Sequence, residues 1–401
     1  MRICFVSRRF FPAISGMSIY AINLLRQLVA AGHDVTMISQ YYGDPDKRRV
    51  YGGGAPPDVP GVRVIGLEAL GEQDGGDFER DVDAIAATIA GEHAKRPFDI
   101  LHAQYGYPTG WATVLAAQRL AVPCVVSIQG GDGHWVGSCC STHRTAMECV
   151  LGHAGALLIG GQSFAREVHE RLGTPLDRFT IVPGAVDTDR FSPGQQSDRA
   201  VRLLYHGRVD RRKGVLDMLR ALPDVAGDWR CTISGIGPDF EPAQALSAAL
   251  GLDDRVVFSG YADYDRVPDI YHAHDVFVSP TYAEGFSNTI LEAMASRHAV
   301  LSCYAVGVVD CVRDGENGLL VPPGDIAAQA AALTRLVTDR ALRDRLAATA
   351  LDECRRVYSW DAVGHQIIAI YDGLLGTRPA VGIEETIAIE PCRFRAEPHL
   401  L

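Results

Sequence analysis

The segment DVFVSPTYAEGFSNTILEAM, residues 275–294, contains the unit from which the fold of this chain is predicted. Its apolar opening, Asp275–Ser279, is typical of a buried β-strand, and a helix is expected to begin near Ser287. A strand that leads through a short loop into a helix is the repeating unit of α/β proteins with parallel sheets. The rest of the chain repeats this unit.

Short apolar or β-branched runs, separated by helix-length segments, form two sets. The first set contains Arg2–Ser7, Asp34–Ser39, Val62–Gly66, Asp99–Gln104, Cys124–Ile128 and Ala156–Gly160. The second set contains Arg202–His206, Trp229–Ser234, Val256–Ser259, Asp275–Ser279, Ala299–Cys303 and Gly318–Val321. Each set predicts a parallel sheet with crossover helices, and 401 residues are too many for one ordinary core. We therefore predict two Rossmann-like α/β domains that face each other across a cleft.

A linker is expected between the two sets, because Pro183–Asp187 and Phe191–Gly194 lead into a polar stretch that ends at Arg199. This places an N-terminal domain at residues 1–184 and a C-terminal domain at residues 200–357. Helical periodicity follows in Ile326–Leu336, Arg340–Tyr358 and Asp361–Leu375. Residues 376–401 form a tail, and from Thr377 onward they show no clear period, so we expect this tail to be loosely held.

The net charge of −11 argues against nucleic acid and anionic lipid as partners, since both require clustered Lys and Arg. A basic amphipathic helix is also missing, which argues against membrane association. The longest apolar runs fall far short of the roughly 18 to 20 residues of a membrane span. The ten cysteines are scattered without a C-x-x-C pair, which fits buried thiols in a reducing cytoplasm, the compartment that we expect.

Two glutamates in the opening segment are candidate ligand-binding groups. Glu284 lies on the strand-to-helix loop, and Glu292 follows inside the helix. The free amides at the start of that helix suit a phosphate, and carboxylates accept hydrogen bonds from sugar and ribose hydroxyls. For Glu292 alone, the alternative is an exposed charge on the helix.

The segment YHGRVDRRKG, residues 205–214, supplies positive charge after another strand. Gly207 allows a tight turn, and Arg208 and Lys213 can point across the C-terminal edge of the sheet, where a diphosphate would need cations. We interpret Arg211 and Arg212 as solvated surface charges.

Glycines mark two further loops. Gly235 and Gly237 do not form a dinucleotide fingerprint, because Phe240 occupies the place of the third glycine, and this argues against an oxidoreductase. They let the backbone approach a nucleoside, or they form a plain turn. In the first domain, Gly16 precedes a helix expected near Ser18, where a phosphate or sugar can approach the amides.

Taken in order along nearly the whole chain, these segments resemble the retaining glycosyltransferases of the GT-B fold in family four, the glycosyl transferases group 1. Besides the loops above, the resemblance includes Gly32–Val35, Asp99–Ala103, Val186–Phe191, Asp314–Val321 and Tyr358–Trp360. It implies a metal-independent hexosyltransferase whose donor is a nucleotide diphosphate sugar, UDP-sugar first and GDP-sugar second. It also implies that a last helix at about residues 359–375 packs back on the N-terminal domain.

The resemblance assigns roles to individual residues. Arg208 and Lys213 would neutralise the donor diphosphate, Glu292 would hold the ribose hydroxyls, and Glu284 would contact the transferred sugar. The start of the helix, at Phe286, Ser287 and Asn288, would complete the donor site together with Gly16, Gly207, Gly235 and Gly237.

One position departs from the family pattern. The family often has a histidine followed by glycine and an acidic residue after the strand that ends at Ile128, whereas this chain has Gln129-Gly130-Gly131-Asp132. Gln129 cannot accept a proton, which leaves a hydrogen-bonding role toward the sugar, a changed sugar preference, or an inactive descendant. His134 is a weaker candidate to substitute for the missing histidine. Gln129, Asp132 and His134 are therefore the candidates for the acceptor or sugar side.

No cofactor and no metal is expected. One group of potential ligands matches none of the usual zinc spacings, and we assign its members to helix burial and to the acceptor loop: His134, Cys139, Cys140, His143, Cys149 and His153.

The acceptor stays open, since neither Tyr41–Gly75 nor Gly130–Thr142 matches a recognised motif. A small metabolite, a growing glycan and a lipid-linked sugar remain alternatives, and the oligomeric state is not predicted. Rival functions are a nucleotide-sugar epimerase or a phosphorylase of the same architecture, and a non-catalytic protein that binds a nucleotide sugar.

Overall fold

The computed structural model describes residues 1–44, 52–194, 200–379, 382–383 and 388–396. Contacts divide the chain into two compact units. Unit 1 comprises Met1–Pro183 and Val363–Leu401, and unit 2 comprises Gly184–Ala362. Residues 195–199 of the predicted linker, residues 45–51 of the stretch Tyr41–Gly75, and parts of the tail lie outside the described residues.

Unit 1 is built on a seven-stranded parallel sheet. Its strands are β1 (Arg2–Ser7), β2 (Asp34–Tyr41), β3 (Val62–Glu68), β4 (Ile100–Gln104), β5 (Cys124–Ile128), β6 (Ala156–Ile159) and β7 (Phe179–Ile181). Their order in the sheet is β3-β2-β1-β4-β5-β6-β7. The helices between them are α1 (Gly16–Ala30), α2 (Leu70–Gln73), α3 (Phe78–Lys95), α4 (Trp111–Leu120), α5 (Gly131–His134), α6 (Ser141–His153) and α7 (Gln162–Leu172).

Unit 2 is built on a six-stranded parallel sheet. Its strands are β8 (Val201–His206), β9 (Trp229–Ser234), β10 (Val256–Gly260), β11 (Val276–Ser279), β12 (Ala299–Cys303) and β13 (Leu319–Val321), in the order β10-β9-β8-β11-β12-β13. Its helices are α8 (Val215–Ala221), α9 (Phe240–Ala249), α10 (Val267–His272), α11 (Asn288–Ala295), α12 (Ile326–Thr338) and α13 (Arg340–Val357). Two further helices follow, α14 (Trp360–Leu374) and α15 (Arg393–Ala396).

The predicted pair of Rossmann-like parallel sheets is confirmed, and each predicted strand is present with ends that differ by a few residues at most. The patterns were readable because parallel strands covered on both faces are apolar along their length, as in β1, where residues Ile3–Val6 are fully buried. Strand β7 was not predicted, because only Phe179 of its three residues is buried and the segment contains no apolar run like that of β13.

Strand order fixes where ligands can approach each sheet. The order along the chain reverses between β1 and β4 in unit 1 and between β8 and β11 in unit 2. Ligands of open α/β sheets bind outside the carboxyl ends of the strands at such switch points. The loops after β8 and β11 begin at Gly207 and Pro280, and the loops after β1 and β4 begin at Arg8 and Tyr105.

The chain returns to unit 1 at Val363. In α14, Gln366 Nε2 donates to Ile181 O at 2.8 Å, and the Tyr371 hydroxyl lies 2.5 Å from His102 Nδ1. Among the described residues no helix is both long and apolar enough to cross a membrane.

Most of the described tail residues are exposed, but two side chains near its end, Phe394 and Arg395, are anchored to the rest of unit 1. The expectation of a loosely held tail stays a prediction. Phe394 is buried, and Arg395 donates two hydrogen bonds to Glu79, at 2.5 and 2.8 Å. A single buried ring and one ion pair produce no periodic pattern, so these contacts could not be predicted from the sequence.

Candidate functional site

Lys213 and Glu284, which come from separate segments, are in contact. Lys213 ends a 3₁₀ turn at Arg211–Lys213 after β8, and Glu284 lies in the loop after β11. Lys213 Nζ donates to Glu284 Oε1 at 2.6 Å and lies 3.5 Å from Ala283 O. Two of the three predicted catalytic side chains therefore meet at the switch point of unit 2, the third being Arg208.

Two glycines fix the backbone of this pair. Gly214 has φ +72°, and a Cβ on it would lie 2.0 Å from Pro280 O, so only glycine lets the two loops touch. Gly307 has φ +75°, and its Cβ would lie 2.2 Å from Glu284 O. Glu284 N donates to Val306 O at 2.9 Å. The loop after β12 thus supports Glu284, a role that sequence reasoning missed because nothing links Gly307 to Glu284 in the sequence.

Arg208 lies in the same loop as Lys213, after β8, with half of its side chain exposed, and its Nε is 3.4 Å from Asp210 Oδ2. Asp210 is buried and also accepts hydrogen bonds from Arg212 at 2.7 and 3.1 Å. Burial raises the pKa of Asp210, but the hydrogen bonds from Arg212 outweigh it and hold the pKa below its usual range. Arg211 is held in the same way by Asp239, at 2.6 and 3.0 Å.

Arg211 and Arg212 are therefore exposed, as expected, yet they are also anchored by carboxylates that the sequence analysis did not identify. The result is a basic loop whose backbone is fixed by Asp210 and Asp239. Arg208 and Lys213 are the cations of this loop that adjoin the switch point.

The predicted nucleoside glycines have a structural role of their own. Gly235 has φ +133°, and its Cβ would lie 1.8 Å from Gly207 O, while a Cβ on Gly237 would lie 2.2 Å from Val209 O. Gly207 N donates to Ser234 O at 3.0 Å. The loops after β8 and β9 therefore pack backbone against backbone, and the approach of a nucleoside to these glycines stays a prediction.

Glu292 is buried in α11 with 5 % of its surface exposed, so the alternative of an exposed helix charge is wrong. Its Oε2 accepts a hydrogen bond from the Tyr271 hydroxyl at 2.9 Å. Burial raises the pKa of Glu292 to about 7, although the hydrogen bond from Tyr271 and the charge of Arg190 lower it in part. A carboxyl group that titrates near neutrality, inside the helix that follows the switch point, is typical of a functional site.

The surroundings of Glu292 are aromatic and largely neutral. The Tyr271 ring stacks on His298 and meets His206 edge to face, with centroids 5.6 and 5.7 Å apart. Burial lowers the pKa of His206 and of His298 to about 4, so both rings are neutral at pH 7. Sequence reasoning missed Tyr271, whose partner lies 21 residues away in another helix.

At the start of α11, Ser287 occupies the N-cap position, and its hydroxyl lies 3.2 Å from Thr289 Oγ1. The preceding Phe286 is fixed by packing, since its ring lies 5.7 Å from that of Tyr358. The helix itself begins at Asn288. The three predicted residues are thus contiguous at a helix N-terminus, where backbone amides favour an anion.

In unit 1, Gln129 follows β5 and belongs to a chain of hydrogen bonds. Ser7 Oγ donates to Gln104 Oε1 at 2.8 Å, and Gln104 Nε2 donates to Gln129 Oε1 at 2.9 Å and to Met17 O at 2.9 Å. These contacts orient the Gln129 amide so that its Nε2 is the end that can donate to a ligand. Gly16, the first residue of α1, lies next to Met17 and two residues before the predicted helix start.

Asp132 and His134 are more deeply buried than we expect for side chains that contact a sugar. Asp132 is fully buried, and its carboxylate accepts hydrogen bonds from the amides of Gly106 and Gly130, each at 2.8 Å, so it shapes the loop. His134 is buried against the Phe164 ring, and its Nδ1 lies 2.9 Å from Glu167 Oε2. A sugar contact by either residue stays a prediction.

Family profiles match most of this chain. The profile of "Glycosyl transferases group 1" matches residues 186–352, and that of "Glycosyl transferase 4-like domain" matches residues 15–185. The chain is 28 % identical to D-inositol 3-phosphate glycosyltransferase of Xylanimonas cellulosilytica, over 91 % of this chain and 93 % of the relative. It is also 28 % identical to glycogen synthase of Mycobacterium tuberculosis, over 92 % and 94 %. The fold is similar to that of sucrose-phosphate synthase from Thermosynechococcus elongatus, with TM-score 0.76, 23 % identity and coverage of 93 % and 98 %.

Proposed function

Because this chain belongs to the glycosyl transferases group 1 and has the GT-B fold, we propose that it moves a sugar from a nucleotide diphosphate sugar to an acceptor hydroxyl with retention of configuration. UDP-sugar is the first candidate for the donor and GDP-sugar the second. The observation that carries the proposal is the contact of Lys213 with Glu284 at the switch point of unit 2.

The donor diphosphate is bound by cations and amides. Arg208 and Lys213 supply positive charge, and the start of α11 supplies backbone N–H groups. Asp210 and Asp239 are each bonded to arginine, and Glu284 is bonded to Lys213. Since these carboxylates already have cationic partners, the fixed side chains replace the divalent metal that a diphosphate otherwise needs.

The chemistry follows from the charge that develops. Breaking the anomeric bond leaves positive charge on the sugar ring and negative charge on the departing diphosphate, so fixed cations stabilise the transition state more than the bound substrate. The acceptor hydroxyl attacks from the face that the diphosphate vacates and gives its proton to a diphosphate oxygen. Glu284 contacts the transferred sugar and holds Lys213 in place.

Gln129 takes part as a hydrogen-bond donor. Its Oε1 is occupied by Gln104, so its Nε2 donates to a hydroxyl of the transferred sugar. This proposal differs from the alternatives of an altered sugar preference and an inactive enzyme. Replacing Gln129 with alanine then slows transfer without abolishing donor binding, whereas an inactive binding protein shows no transfer before or after the change.

The deciding experiment is calorimetric titration of the purified protein with UDP, GDP and ADP, in buffer freed of divalent ions and again with added Mg²⁺. We expect one nucleotide to bind equally well in both buffers and binding to weaken in K213A and E292Q. R220A is the matched control, because Arg220 pairs with Asp217 on the surface of the same unit. If none of the three nucleotides binds, the proposed donor site is wrong.

A second assay, product formation with and without an acceptor, distinguishes the rival functions. An epimerase forms product from the donor alone, a transferase requires an acceptor, and a non-catalytic binding protein converts nothing. For the acceptor, the first compounds to test are D-inositol 3-phosphate and glycogen, because two relatives that match most of the chain are named D-inositol 3-phosphate glycosyltransferase and glycogen synthase.

A further inference from the structure

Four side chains that the transferase site does not use converge in unit 1. They are Cys139 and Cys140 in the loop before α6, His143 in its first turn, and Cys392 near the end of the chain. Their ligand atoms all lie within 4.8 Å of one another. His143 Nδ1 is 3.0 Å from Cys139 Sγ and 3.5 Å from Cys392 Sγ.

This arrangement has the dimensions of a tetrahedral metal site. With Zn–S bonds of about 2.3 Å and a Zn–N bond of about 2.0 Å, the ligand atoms of a tetrahedral zinc site are roughly 3.5 to 3.8 Å apart. The observed separations, from 3.0 to at most 4.8 Å, bracket that range. Shifts of a few tenths of an ångström to one ångström would therefore complete the coordination shell.

The start of helix α6 would stabilise the negative charge of metal-bound thiolates. Cys140 is the N-cap residue of α6, and its Sγ accepts a hydrogen bond from His143 N at 3.4 Å. The positive end of the helix dipole therefore lies beside the cluster. Three thiolates, one neutral imidazole and Zn²⁺ together carry one net negative charge, which an amide donor and a helix N-terminus stabilise.

Other contacts bring Cys392 to this position without the help of a metal. Thr142 Oγ1 donates to Ala388 O at 2.8 Å and accepts from Glu390 N at 2.7 Å. On the other side of Cys392, Phe394 is buried, and Arg395 is bonded to Glu79. The fourth ligand is thus held in place by both of its flanks.

The donor set selects the kind of metal. Three thiols and an imidazole, without a carboxylate among them, favour a soft or borderline cation, and a closed Cys₃His shell is typical of structural zinc. A disulfide between two of these cysteines is the competing interpretation. It would leave His143 Nδ1 beside sulfur atoms with no charge to attract it.

We propose that Cys139, Cys140, His143 and Cys392 bind one structural Zn²⁺, which fastens the C-terminal segment 388–396 to α6. The same ion anchors the far end of the loop that begins at Gln129, so it holds one side of the proposed acceptor region without taking part in sugar transfer. This proposal differs from the expectation of no metal, which the sequence spacing of the cluster favoured. Cys392 is 249 residues from His143, so no local spacing could reveal it.

The test is the metal content of the full-length protein purified from zinc-supplemented medium. We expect one zinc per chain by elemental mass spectrometry in the wild type and in C149S, the matched control, because Cys149 is a free cysteine on α6 that lies outside the cluster. In C139S and C392S we expect at least a tenfold loss of zinc affinity, measured by competition with a chromophoric chelator. Circular dichroism confirms that the variants are folded.

Cobalt provides a second readout that does not depend on activity. Co²⁺ added to metal-free protein should give thiolate-to-cobalt charge-transfer bands and the intense visible bands of a tetrahedral site, and C392S should weaken both. Trypsin should cleave after Arg393 and Arg395 faster once zinc is removed. A wild-type protein without metal, equal zinc in wild type and C392S, or a disulfide within the cluster by mass spectrometry would each overturn the proposal.

Discussion

Lys213 and Glu284 are 71 residues apart in the chain and form a charged hydrogen bond of 2.6 Å. Lys213 keeps about a third of its side chain exposed, so a diphosphate can compete with Glu284 for the ammonium group. A cation held by one carboxylate beside a helix N-terminus is preorganised for charge that develops on a leaving group. We therefore expect the contact of Lys213 with Glu284 to influence the rate of sugar transfer.

Removing either cation should slow the reaction. We expect K213A and R208A to lower turnover by roughly a hundredfold or more, as does the loss of one charge-stabilising donor in other enzymes. E284Q should mainly lower kcat, whereas E292Q should mainly weaken donor binding. Steady-state kinetics with R220A as the control checks all four changes. Unchanged turnover in both K213A and R208A would contradict the assigned diphosphate site.

Glu292 should make donor binding pH-dependent. Ribose hydroxyls donate to the ionised carboxylate, and its pKa is raised to about 7, so the affinity for UDP should increase as the pH rises through that value. Calorimetric titration across this range measures the effect, and E292Q corrects for the titration of UDP itself. Y271F should move the midpoint upward, because it removes a hydrogen bond that favours the charged form. Equal pH profiles for wild type and E292Q would count against the ribose role.

At the scale of elements, the loops after β8, β11 and β12 hold one another at the carboxyl edge of the second sheet. Glycine at 214 and 307 permits contacts to Pro280 O and Glu284 O that any Cβ would block. Packing between these loops thus determines the backbone conformation of the site, and this backbone positions the charged side chains.

The variant G307A tests this packing, with G315A as its matched control. Both glycines have nearly the same φ, +75° and +74°, so each substitution costs roughly 1–2 kcal/mol of left-handed strain. Only at Gly307 would the new Cβ lie 2.2 Å from Glu284 O, whereas nothing lies within 4 Å at Gly315. We therefore expect G307A to lower turnover well beyond any effect of G315A, measured at matched folded fractions. Equal activities would show that the loop does not position Glu284.

At the scale of the whole molecule, the two units differ in how the chain builds them. Unit 2 is one continuous segment, Gly184–Ala362, with its own parallel sheet and core. Unit 1 is assembled from both ends of the chain, because Val363–Leu401 joins Met1–Pro183. Tyr371, which is fully buried, bonds to His102 of the first sheet.

This difference predicts how fragments behave. Residues 184–362 expressed alone should unfold cooperatively in urea and bind the same nucleotide as the full chain. Residues 1–183 alone lack the buried side chains of Val363, Ile367 and Tyr371. They should therefore be less stable than the intact unit by more than the roughly 3–5 kcal/mol that the loss of one buried aromatic side chain costs. Denaturation curves of both fragments provide the comparison. A fragment 1–183 as stable as the intact unit would show that α14 adds nothing to its core.

Both parallel sheets were predictable from the amino-acid sequence, because strands buried on both faces must be apolar along their length. So were the candidate cations and glutamates of the donor site, because charged residues next to strand ends and helix starts can be located from local pattern alone. Lys213 and Glu284 were found in this way.

Which of these groups are in contact became known from the three-dimensional packing alone. Packing brings the Tyr271 hydroxyl to the carboxyl group of Glu292, and burial raises the pKa of Glu292 to about 7. Packing also places Gly307 against the backbone of Glu284. It also brings Cys392 to His143. Burial and long-range contacts depend on how distant segments pack, and the local periodicity of a sequence does not predict that packing.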